Sequence, residues 1–99
     1  MNLLKENRQA INSLCKKHKV EKLYAFGSVL NSSFGKSSDI DLLVEFERGS
    51  IVDFATNYFE LKFALEDLLR RSVDLIEYSA IRNPYFKEEV DETRELIYG

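Results

Sequence analysis

Apolar positions recur at helical spacing over residues 2–18, where Leu3, Leu4, Ala10, Ile11, Leu14 and Cys15 fall roughly on one face. Lys16, Lys17, His18 and Lys19 follow, cations suited to the negative end of a helix. Residues 21–26 (EKLYAF) predict a short strand that stops at Gly27. Residues 28–38 (SVLNSSFGKSS) predict a short helix opening at Ser28, then a loop through Gly35-Lys36-Ser37-Ser38. Residues 39–46 (DIDLLVEF) alternate with a period of two. On that strand Ile40, Leu42, Val44 and Phe46 face one way, while Asp39 and Asp41 face the other. Arg48-Gly49 breaks it.

A long helix is predicted over residues 51–70, with Ser50 as its N-cap and Asp53 in its first turn, near the positive end of the dipole. Its main apolar face is Ile51, Phe54, Ala55, Tyr58, Leu61, Leu65, Leu68 and Leu69. Val52, Phe59 and Phe63 form a second stripe. Either the helix is buried on two sides, or that stripe meets a partner or a second copy. Residues 72–78 (SVDLIEY) predict a third strand, and Asn83-Pro84 opens a last helix running to about Tyr98. The order α-β-(α)-β-α-β-α predicts one small α/β (α+β) domain over residues 1–99, a mixed sheet of three to four strands flanked by helices.

Composition narrows the classes. The chain of 99 residues is 44% apolar and 31% charged, as expected of a folded globular domain. A net charge of −3 argues against strong nucleic-acid binding, which needs a basic face. Cys15 is the sole cysteine, so no internal disulfide forms and a cytoplasmic setting fits. The first residues carry no apolar signal segment, and no run approaches the roughly 20 residues of a membrane span. Cys15 reads as a small core residue and Lys16–Lys22 as a solvated helix end, with His18 part of it.

The candidate chemistry lies in Gly27-Ser28, ten residues, then Asp39-Ile40-Asp41. A strand that ends on Gly and turns into a helix presents backbone N–H groups to an anion, and Gly admits a phosphate close to the backbone. Alone, a Gly-Ser pair is usually just a turn. Asp is depleted in strands, however, and here two open an apolar one. Val73-Asp74-Leu75-Ile76 adds a third acid; if its strand pairs beside 39–46, Asp74 can join the same face. Two such carboxylates at ~4 Å repel by about 4 kcal/mol at an effective dielectric of ~20. A cluster of that kind takes up protons or binds a cation, and all-oxygen donors favour Mg2+ or Mn2+.

The run Phe26-Gly27-Ser28 through Ser38-Asp39-Ile40-Asp41-Leu42-Leu43-Val44, with the later Val73-Asp74-Leu75-Ile76, resembles the nucleotidyltransferase superfamily of DNA polymerase β type. The short length resembles its minimal members, the antitoxin partners of HEPN-domain toxins. The resemblance implies the polymerase β-like fold and transfer of AMP from ATP to a partner's hydroxyl, that of a Tyr of a HEPN toxin. Asp39 and Asp41 would bind two Mg2+ ions, and Asp74 would complete the metal site and act as base. Gly27 and Ser28 would hold the triphosphate, with Lys36 and Ser38 in the same nucleotide-binding set. Members often carry an Arg-x-Arg-Gly turn after Gly-Ser; here Val29-Leu30-Asn31-Ser32 stands there, and Lys36 or a partner's Arg would substitute. Two other functions fit the same residues: a module that neutralises its partner by contact alone, and nucleotidyl transfer to a small molecule across a homo-oligomer.

Overall fold

The computed structural model describes residues 2–27, 39–49 and 51–99. Its elements are α1 (Asn2–Glu6), α2 (Arg8–Lys17), β1 (Val20–Phe26), β2 (Ile40–Phe46), α3 (Phe54–Leu69), β3 (Val73–Glu77), α4 (Pro84–Thr93) and β4 (Glu95–Tyr98). The single helix expected over 2–18 is two. Asn7 interrupts it, turning its amide back to donate to the Leu3 carbonyl at 2.9 Å, while its own carbonyl accepts from the Ile11 N–H.

The sheet order is β3-β2-β1-β4, so the expected small mixed sheet has four strands. β1 pairs antiparallel with β2 and with β4, and β2 pairs parallel with β3. The parallel pair needs a crossover, and α3 supplies it. One face of the sheet carries Leu23, Ala25, Ile40, Leu42, Val44, Val73, Leu75 and Ile97, closed by Ile11 and Cys15 of α2 and Leu61, Leu65 and Leu69 of α3. Burial in this core pushes the Cys15 thiol up to about 12, so it is a packing group and not a nucleophile. The other face is smaller: Tyr24, Phe26 and Leu43 lie under Val90 and Phe86 of α4. His18 is buried, its Nδ1 bonded to the Leu14 carbonyl oxygen at 2.9 Å, rather than sitting on an open basic end. Among the described residues no helix is long and apolar enough to cross a membrane.

Two boundaries differ from expectation. α3 starts at Phe54, not at 51, because the carboxylate of Asp53 accepts from the Thr56 N–H and hydroxyl and so forms the N-cap. Ser50, the expected cap, lies outside the described residues, as does the expected short helix at Ser28. With the start shifted, Ile51 precedes the helix, and Phe54 and Ala55 are exposed rather than in its main face. The last helix ends at Thr93, not near Tyr98. Alternating burial takes over at the end, Ile97 entering the core while Leu96 stays exposed, and the segment docks as β4 on the free side of β1.

β3 is an edge strand, and its outer rim is not left bare. The Ser72 carbonyl accepts from the Ile40 N–H, so residues 72, 74 and 76 aim their backbone groups at β2, while 73 and 75 aim outward. Side chains of α3 meet both outward positions. Glu66 Oε2 accepts from the Val73 N–H at 2.9 Å, and the Tyr58 hydroxyl donates to the Leu75 carbonyl. Two of the outward backbone groups are thereby satisfied, which blunts the edge against foreign strands. We expect Tyr58→Phe to cost about 1 kcal/mol, the net worth of one such hydrogen bond. Urea unfolding checks it, and amide exchange should quicken first in residues 73–76.

Candidate functional site

The site forms where the strands change direction. β1 runs toward it and ends at Phe26-Gly27, while β2 and β3 start there. Phe26 pairs with Asp41, and Asp41 pairs with Asp74. Paired residues in a sheet present their side chains to the same face, so Phe26, Asp41 and Asp74 share the α4 side. The pairing expected of Asp74 is therefore observed. Asp41 is half-buried, whereas Asp39, just before β2, and Asp74 are exposed.

Gly27 takes φ +74°, a left-handed conformation that glycine adopts without strain. A Cβ added there would stand 2.4 Å from Oδ2 of Asp41. The turn glycine thus serves the carboxylate directly, by leaving the space it occupies. Phe26 is braced from above by Phe86 of α4, ring edge to ring face, with centroids 6.0 Å apart at 70°.

The electrostatics follow from this packing. Burial raises the Asp41 carboxyl above the ordinary carboxylate range, and the charges of Asp74 and Asp39 raise it further. Of the residues expected at the site, the strands bring Gly27, Asp41 and Asp74 together, with Asp39 within electrostatic reach. Ser28, Lys36 and Ser38 lie outside the described residues. Among the described residues, no three His, Cys, Asp or Glu side chains gather into a group able to hold a metal ion unaided. Sequence reasoning missed Glu66 and Tyr58, which hold β3 from outside and so fix Asp74. Both looked like ordinary residues of an amphipathic helix, and only the topology makes them edge partners.

The model of the polymerase beta nucleotidyltransferase family matches residues 9–99, nearly the whole chain. The chain belongs to that family. A protein of Methanocaldococcus jannaschii named "putative protein adenylyltransferase" is 40% identical over 82 residues, spanning 83% of this chain and 79% of that one. The solved structure of a "putative minimal nucleotidyltransferase" superposes with a TM-score of 0.77 at 35% identity, covering 93% of this chain and 90% of that one. A chain from a crystallised toxin–antitoxin pair superposes with a TM-score of 0.66 at 25% identity, covering 94% of this chain and 72% of that one. The fold is accordingly the polymerase β-like nucleotidyltransferase fold, and the chain is a minimal nucleotidyltransferase.

Two outcomes test the geometry. The raised Asp41 carboxyl keeps its proton in the folded state to higher pH than in the unfolded chain. Stability is therefore lost as pH rises from the ordinary carboxylate range through the folded value, and stays lost above it. Asp41→Asn should remove that loss: without divalent metal it should melt above the parent by a few degrees at pH 7, and match it at pH 3 to 4. Solvent screening keeps the gain below about 1 kcal/mol, or roughly 4–8 °C for a domain of this size. Conversely, Gly27→Ala should lower stability by about 1–2 kcal/mol, because the added Cβ is strained at this φ and must displace the Asp41 carboxylate. Thermal melts by circular dichroism read both.

Proposed function

We propose that this nucleotidyltransferase moves AMP from ATP to a hydroxyl of a partner protein, and that it does so in the cytoplasm as the antitoxin of a HEPN-domain toxin. The single observation that carries the reading is the three-way junction of Gly27, Asp41 and Asp74, a turn that makes room for a carboxylate already crowded by others. The adenylyltransferase name of the Methanocaldococcus relative supports AMP as the group moved, and the toxin–antitoxin neighbour supports a protein acceptor.

The donor set fits a hard divalent cation. Asp41 and Asp74 face each other across the ladder and Asp39 stands at its mouth, all offering oxygen. Among the described residues these carboxylates do not gather into a three-ligand group, so nucleotide phosphates and water would complete the oxygen set around Mg2+. When bound, two such ions would neutralise the phosphates and polarise the reacting oxygens. Asp39 and Asp41 would hold the metals, and Asp74 would complete the site and accept the proton of the incoming hydroxyl. That hydroxyl oxygen bonds to the α-phosphorus as the bond to the bridging oxygen breaks, and pyrophosphate leaves. Gly27 and Ser28, with Lys36 and Ser38, would steady the triphosphate. The second reading, neutralisation by contact alone, is favoured by Val29-Leu30-Asn31 standing where an arginine turn is usual.

The experiment is incubation with labelled ATP, Mg2+ and the product of the neighbouring gene, followed by mass spectrometry of both proteins. AMP should appear on the partner, and Asp39→Asn or Asp41→Asn should reduce transfer by at least about a thousandfold while the fold survives. Full transfer by either variant sinks the mechanism. Tight complex formation without ATP binding by calorimetry would favour the contact reading.

A further inference from the structure

Asp74 is bracketed by bonds that the sheet itself does not require. Its own N–H and C=O aim at β2, as the parallel ladder dictates once the Ile40 N–H donates to the Ser72 carbonyl. The neighbouring groups aim outward, and α3 takes one on each side of Asp74. Glu66 Oε2 accepts from the Val73 N–H at 2.9 Å, and the Tyr58 hydroxyl donates to the Leu75 carbonyl. Outward groups of an edge strand also find partners in water, so these two bonds add only modestly to stability. What they add is order.

Order matters at this place in the sheet. β3 has five residues and a neighbouring strand on one side only, and a short edge of that kind opens easily. Asp74 is its second residue, close to the strand end, and its side chain is exposed. An exposed side chain is aimed by its backbone more than by packing. Here the backbone is held from inside at Asp74 and from outside at Val73 and Leu75. The Cα–Cβ bond of Asp74 is thereby pointed to the face that carries Asp41. The two α3 groups suit the task in kind, an acceptor for the N–H and a donor for the carbonyl. Burial, and then the charge of Asp74, raise the Tyr58 hydroxyl above its ordinary value, so it stays a donor and lies within electrostatic reach of Asp74.

We propose that Glu66 and Tyr58 are positioning residues for nucleotidyl transfer: from the opposite side of the sheet they hold the Asp74 carboxylate in register with Asp41, so that both can meet the same divalent cation. This role presupposes the transfer proposed above, whereas the grip on β3 does not. Groups that orient a metal ligand are worth about 10- to 100-fold in metal affinity or activity.

Two readouts on the whole chain test it. The first needs no turnover: carbon-13 NMR of the aspartate carboxyls as substoichiometric Mn2+ is added to the nucleotide-free protein. In the parent, Asp41 and Asp74 should broaden together. In Glu66→Ala and in Tyr58→Phe, the broadening of Asp74 should fall severalfold relative to that of Asp41. Glu66→Gln keeps an oxygen for the Val73 N–H and should follow the parent. No selective broadening of the pair in the parent, or the same ratio in every variant, overturns the proposal.

The second readout is transfer to the product of the neighbouring gene, measured well below the melting temperature of each variant. Glu66→Ala and Tyr58→Phe should each lower kcat roughly tenfold and leave KM for ATP within about twofold, and Glu66→Gln should restore kcat. Made in Asp74→Asn, where no carboxylate is left to position, neither change should lower kcat further. Equal losses in both backgrounds mean a merely structural role and overturn the proposal. So does parent-level kcat in Glu66→Ala and Tyr58→Phe, which would leave the transfer reading intact. The expected Mn2+ pattern with no transfer by the parent would count against the transfer reading alone.

Discussion

The parallel register of β2 on β3 is the constraint on which the rest depends. It sets Asp41 opposite Asp74, and nothing else in the fold could bring those two carboxylates to one face. Parallel pairs need a crossover, and the crossover here does more than connect. From α3, Glu66 and Tyr58 grip the outward backbone groups of β3 at Val73 and Leu75, on either side of Asp74. The strand is held from within by β2 and from without by its own crossover helix. A slip of one residue would turn Asp74 into the core and Val73 and Leu75 out of it.

The site works against the stability of the fold that makes it. Asp41 is half-buried, repelled by two acids, and pressed against a turn that only glycine fills without strain. A core built for stability alone would place an apolar side chain there, beside Phe26 and Leu43. The large core on the α2–α3 side offsets this strain, leaving the smaller α4 face to carry the chemistry. On that face Arg94 closes the far end of α4, its guanidinium 4.3 Å from the Tyr24 ring centre and 5.3 Å from that of Tyr78.

Much of this was legible in the chain because local periodicity carried it. The alternation of Ile40, Leu42 and Val44 with Asp41 was visible as a two-faced strand, and the acid inside Val73–Ile76 asked for a partner. Less visible was whatever distant residues decide. β4 has only four residues, too few for alternation to outweigh the helical pattern before it, and it becomes a strand because β1 offers a free edge. Asp53 displaced Ser50 as the cap of α3 because its carboxylate reaches the first turn. The second stripe of α3 reads the same whether covered or bare, and only the packing shows Phe59 and Phe63 in water.

Strand register makes Asp41 and Asp74 a coupled pair. Carbon-13 NMR titration of the aspartate carboxyls, in metal-free buffer, measures it for the parent chain and for Asp74→Asn. Asp41 should titrate above the ordinary carboxylate range in the parent, and its midpoint should fall when the facing charge is removed. An ordinary midpoint for Asp41, unmoved by Asp74→Asn, would show that the two carboxylates are not coupled.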